Sequence, residues 1–177
     1  ALRHPKLNSA LVSFLQEKIS TNTAGRSEAM ILGYLAQAKA VQPDFAKWLM
    51  NQVNLSEPYS IYRVTALRLK PSKEMKDFYY GLISKASASK EPDLVRFRVL
   101  QGLNQLGLRD ADTIHLALRM LASTNNLVMD EALKLLWEAS DRAEELKDVL
   151  NGRHYNPIDP KSVDRVKAYF SIKTNFK

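Results

Sequence analysis

A chain of 177 residues with 45% hydrophobic and 25% charged side chains has the composition of a folded globular protein rather than a disordered tail. Its 26 Lys and Arg against 19 Asp and Glu leave a net charge of +7, a balance that favours anionic partners. The absence of cysteine excludes disulfide frameworks, thiolate metal sites and cysteine nucleophiles, and the longest stretch free of strongly polar side chains, Ala29 to Ala36, is far short of the roughly 20 residues of a membrane span.

Apolar residues recur at intervals of three and four from the start. Leu11, Phe14, Leu15 and Ile19 predict an N-terminal helix within 1–22. Pro43, following Gln42, suits a first helical turn, and Phe45, Trp48, Leu49 and Val53 carry the stripe of the helix it opens. Ser72 is placed to cap a helix over Met75 to Ile83. Gly107 suits a left-handed helix end, and Asp110 the N-cap that follows it. Leu133, Leu136 and Trp137 mark another helix. Ser140 before Asp141 predicts a further start, Asn151-Gly152 its end, and Asp159-Pro160 a last helix through Val163, Val166 and Phe170. No alternating strand pattern occurs, so the expected fold is all-α with about ten helices.

These helices read as pairs. Second helices are expected to begin at Asp44-Phe45, Asp77-Phe78 and Asp112-Thr113, spaced by 33 and 35 residues, with a fourth around Glu145-Leu146. Tyr62-Arg63-Val64 recurs 35 residues later as Phe97-Arg98-Val99, while Gly33, Ala66 and Gly102 are small enough to mark close helix crossings. Pro58, Pro71 and Pro92 punctuate the connections. This period and apolar pattern, over Thr23 to Gly152, resemble those of the HEAT-like α-solenoid repeat families. The resemblance implies a right-handed α-solenoid of stacked antiparallel helix pairs in one domain over 1–177. Residues 1–22 form its N-terminal helix, 23–152 about four helix pairs, and 153–177 a linker and capping helix. A non-repetitive helical bundle is the alternative.

Charge is unevenly spread. Pro58 to Arg109 holds ten Lys or Arg against four acids, a local +6. Leu127 to Gly152 holds three against seven, a local −4, and Lys161 to Lys177 five against one, a local +4. Arg63, Lys70, Arg96 and Arg98 are the candidate basic part of a partner-binding surface, with Tyr79 or Tyr80 as an aromatic anchor. Phe78 and Leu82 are expected in the core, as are Trp48 and Trp137, and Tyr59, Tyr62 and Phe97 between repeats.

Chemistry has little foothold. Asp112 and His115 share a helical face, but no nucleophile and no second histidine stand at ligand spacing. Glu144 and Glu145, adjacent on a helix, diverge by about 100° and cannot converge on one atom. The expectation is a non-enzymatic protein-binding or scaffolding module without a cofactor, whose ligand is an acidic or amphipathic protein segment. Nucleic acid along an Arg63–Arg98 ridge is the alternative ligand, with a HEAT-like DNA glycosylase centred near Asp110 and Asp112 as its remote form. A homo-oligomer joined through the acidic fourth repeat is a further option. On this reading, Arg63→Glu combined with Arg98→Glu abolishes partner capture and leaves stability nearly unchanged. A chain starting at Ala1 is also expected to be a processed or trimmed one, compatible with a cytoplasmic location or with export after signal removal.

Overall fold

The computed structural model describes residues 4–139 and 160–175. Among them it forms nine α-helices, one 3-10 turn and no strand, so the fold is all-α. Two compact units are distinguished, Ala1–Arg98 and Val99–Lys177.

The first unit begins with α1 (Pro5–Ser20), α2 (Arg26–Gln37) and α3 (Pro43–Asn51). It continues with α4 (Tyr59–Ala66), α5 (Lys73–Ser84), the 3-10 turn Ala86–Ala88 and the first half of α6 (Pro92–Gln105). Local chemistry sets the starts. Pro43 occupies the first turn of α3, and Ser72 Oγ accepts from the Met75 amide at 3.2 Å to cap α5. That cap begins α5 at Lys73, so Asp77 lies inside the helix instead of opening it. Helix ends close by a second device. Asn22, Lys39 and Arg68 adopt φ values of 53°, 52° and 48° just past α1, α2 and α4. The Thr23 amide then reaches back to the Lys18 carbonyl at 2.9 Å, and Ala40 to Leu35 at 2.9 Å, as in a Schellman turn.

Packing follows the apolar stripes. Helix α2 lies against α1 and α4, and α3 against α4. Leu15, Leu32, Leu35, Leu49, Ile61 and Val64 are buried where these helices meet. On α5 the buried stripe is Met75 and Tyr79, whereas Phe78 and Leu82, expected in the core, are half-buried. Trp48 is also only half-buried, stacked on Phe45 with ring centres 5.9 Å apart. Gly33 does not mark a close crossing: a Cβ placed there meets nothing within 4 Å.

The second unit holds the rest of α6, α7 (Ala111–Met120), α8 (Asn126–Ala139) and α9 (Pro160–Asn175). Gly107 ends α6 with φ +67°, and Asp110 Oδ1 accepts from the Thr113 amide at 3.0 Å to cap α7. Helix α8 packs on α7 and on α9. Buried Ile114, Ala117, Leu135, Leu136, Val163 and Val166 fill this unit, and Trp137 meets Phe170 edge to face at 5.0 Å. The Arg165 guanidinium donates to the Leu121 carbonyl at the end of α7, answering one of the acceptors a helix end leaves open. Ser140, Asp141, Glu144, Glu145, Asn151, Gly152 and Asp159 lie outside the described residues. No helix among the described residues is long and apolar enough to cross a membrane.

Candidate functional site

The six residues singled out from the sequence do not form one exposed ridge. Arg63 is only 5% exposed. Its Nε stands 2.7 Å from Glu28 Oε1, and its Nη2 stands 3.2 Å from Glu57 Oε1. The guanidinium therefore points inward, between a carboxylate of α2 and one from the turn before α4. Arg63→Glu would gather three carboxylates in that buried place, so the expected sparing of stability does not fit the structure, and the substitution is expected to destabilise the fold. Tyr79 is likewise not a surface anchor. It is 1% exposed, its hydroxyl lies 3.0 Å from Thr65 Oγ1, and burial pushes its phenol up to about 12. The neutral hydroxyl ties α5 to α4.

The remaining four are accessible to different degrees. Lys70 is exposed on the connection after α4. Tyr80 is half-buried with the Lys76 ammonium 5.5 Å from its ring centre. Arg96 is held by Asp93, one turn earlier on α6, at 2.7 Å. Arg98 does something the sequence did not announce. Its guanidinium carbon lies 5.0 Å from the Tyr62 ring centre and 5.2 Å from that of Phe97.

Around Arg98 a cluster is assembled from the first turns of α4 and from α6. Tyr59 and Tyr62 rings are 5.4 Å apart, and Arg63 lies 5.6 Å from the Tyr59 ring centre on its other contact. Tyr59 is 38% exposed, so one ring of the cluster faces solvent while the arginine beneath it is buried. These aromatics were expected to serve only as packing between repeats. The spacing of Tyr62-Arg63 and Phe97-Arg98 was the available signal for their meeting, but it does not say which arginine turns outward.

Electrostatics in this region are unusual. Glu28 is 2% exposed, and its Oε2 has no hydrogen-bond partner among the described residues. The Arg63 contact to Oε1 is an ion pair by distance without a well-aligned hydrogen bond. Burial raises the Glu28 carboxyl above its ordinary range against the opposing pull of Arg63, and the Glu57 charge adds to the rise. The Tyr59 phenol is raised too, first by burial and then by Glu28.

Elsewhere, His115 is half-buried between buried Ile114 and Leu116 on α7, and His4 caps α1 through Nδ1, 3.3 Å from the Leu7 amide. In the second unit, Asn104 bridges Arg109 and buried Glu131 at 2.6 and 3.0 Å, a network that fixes α6 against α8. Among the described residues, no three His, Asp or Glu side chains gather as metal ligands would. Compared with family models, curated proteins and solved structures, the chain shows no match.

Proposed function

We propose that this chain is a non-enzymatic helical-repeat protein that binds an acidic or amphipathic segment of another protein at the Tyr59, Tyr62, Phe97 and Arg98 cluster. The observation that carries the reading is the Arg98 guanidinium lying over the Tyr62 ring beside a solvent-facing Tyr59. A guanidinium held over aromatic rings is attracted by their π faces, and its planar fork matches the geometry of a carboxylate. Tyrosines add contact area with few rotatable bonds to freeze.

The stacked-pair architecture belongs to the same proposal. The alternate helices α2, α4, α6 and α8 begin at residues 26, 59, 92 and 126, steps of 33, 33 and 34. Within the first unit, α2 packs directly on α4, as the first helices of neighbouring pairs do in a HEAT-like stack. Arg98 meeting Tyr62 places one copy of the recurring aromatic–arginine pair against the other.

Fluorescence anisotropy with a labelled polyglutamate peptide tests the function. We expect saturable binding at about 50 mM salt that weakens by 200 mM. Arg98→Gln and Tyr62→Ala should each weaken it about tenfold, the effect of roughly 1.4 kcal/mol at an interface centre, with helicity retained by circular dichroism. Wild-type affinity in both variants would sink the assignment of the site. Tighter binding of single-stranded DNA than of the peptide, with a steep salt slope, would move the reading to nucleic acid.

A further inference from the structure

We propose that Glu57 is a built-in competitor at the edge of this site, where Arg63 lies over the Tyr59 ring, so that an acidic partner binding there displaces Glu57 from Arg63. The inference rests on the function proposed above and names how that site is regulated. Three observations point to it.

First, Arg63 already has a carboxylate. Glu28 holds Nε at 2.7 Å from within the fold, and Glu57 is the second anion on a single cation, at 3.2 Å on Nη2. Second, the two carboxylates differ in access. The Glu28 side chain is 2% exposed and Glu57 is 42% exposed, so the Nη2 end of the buried Arg63 is the end covered by the accessible carboxylate. Third, the turn that presents Glu57 is fixed. Its amide donates to the Asn54 carbonyl at 2.9 Å and its carbonyl accepts from Ser60 at 2.8 Å. Ser60 Oγ donates to the Asn54 carbonyl at 3.1 Å, and Ser89 Oγ to that of Leu55 at 2.6 Å. Glu57 is thus delivered to the guanidinium by backbone geometry.

A surplus carboxylate is repelled by its neighbour as well as attracted by the cation. The influence of Glu57 on the Glu28 carboxyl is in that direction. An Asp or Glu of a partner could take the same place at Nη2 while its chain crosses the Tyr59 ring, over which the Arg63 guanidinium lies at 5.6 Å. The partner implied is a segment whose carboxylate lies next to an apolar or aromatic residue.

Glu57→Asp and Glu57→Gln separate contact from charge. The aspartate keeps the charge but is one methylene too short for a 3.2 Å contact; the glutamine removes the charge. The labelled polyglutamate peptide is titrated into wild type and both variants, with circular dichroism to confirm folding. Displacement predicts that both variants bind more tightly, by up to about fivefold, the range set by exposed ion pairs. If only Glu57→Gln gains affinity, the effect is net charge and the competitor role is overturned. If all three forms bind alike, the competitor role is again overturned while the binding site stands. If no form binds, the function proposed for the site falls with it.

Discussion

Burying a guanidinium beside a carboxylate removes both from water, at a cost of several kcal/mol per ion that the pair must offset by geometry. Arg63 and Glu28 meet that demand incompletely, since among the described residues neither buried Glu28 oxygen has a well-aligned hydrogen bond. The pH dependence follows from the raised Glu28 carboxyl. The folded state holds the proton more tightly than the unfolded chain. Its contribution to stability is therefore fully present below the ordinary carboxyl value of 4.5 and is lost as pH rises through the higher folded value. Other carboxylates titrate in the same range, so the readout is a difference. We expect wild type to gain stability relative to Glu28→Gln as pH is lowered towards 4.5, in urea denaturation followed by circular dichroism. Parallel pH profiles for the two proteins would show that burial does not control this carboxyl. None of this was legible from charge counted along the chain. Arg63 is buried because Glu28, in another helix, and Glu57 meet it from two sides, and a sequence with no pairing information lets every arginine look equally exposed.

Helix boundaries were more legible, because their causes lie within a few residues. The caps at Ser72 and Asp110, the first-turn proline at residue 43 and the left-handed Gly107 all depend on side chains beside the backbone groups they serve. Which face of a helix is buried is set by neighbours, and there the reading of α5 slipped by one residue, giving Phe78 the place that Tyr79 holds. Small residues misled for the same reason. Gly33 sits in mid-α2 and Gly81 in mid-α5, and a Cβ at either meets nothing within 4 Å. With no clash to set against it, alanine gains helix propensity and restricts the unfolded chain. Gly33→Ala and Gly81→Ala should each stabilise by about 0.5–1 kcal/mol in urea denaturation. A fall in midpoint at residue 33 would restore the close crossing that the sequence suggested.

The division of the chain into units falls between Arg98 and Val99, inside a single fourteen-residue helix. A steady period cannot reveal such a division, because the sequence of α6 keeps its register through it. Buried Val95 belongs to the first unit, and buried Val99, Leu100 and Leu103 to the second. The start of α6, with Pro92 in its first turn and Asp93 beside the positive end of the helix dipole, lies in the first unit as well. A fragment cut at the division would begin with Val99 and keep only the seven residues to Gln105 as α6, about two turns without a cap. Helix nucleation costs too much for so short a segment to form without outside support. A fragment beginning at Ser89 keeps the Pro92 start and the Asp93–Arg96 ion pair. We therefore expect fragment 89–177 to be more helical and to melt more cooperatively than fragment 99–177, by circular dichroism at matched concentration. Equal helicity and equal melting would mean that the second unit needs nothing N-terminal to Val99, and that the helix start at Pro92 serves the first unit alone.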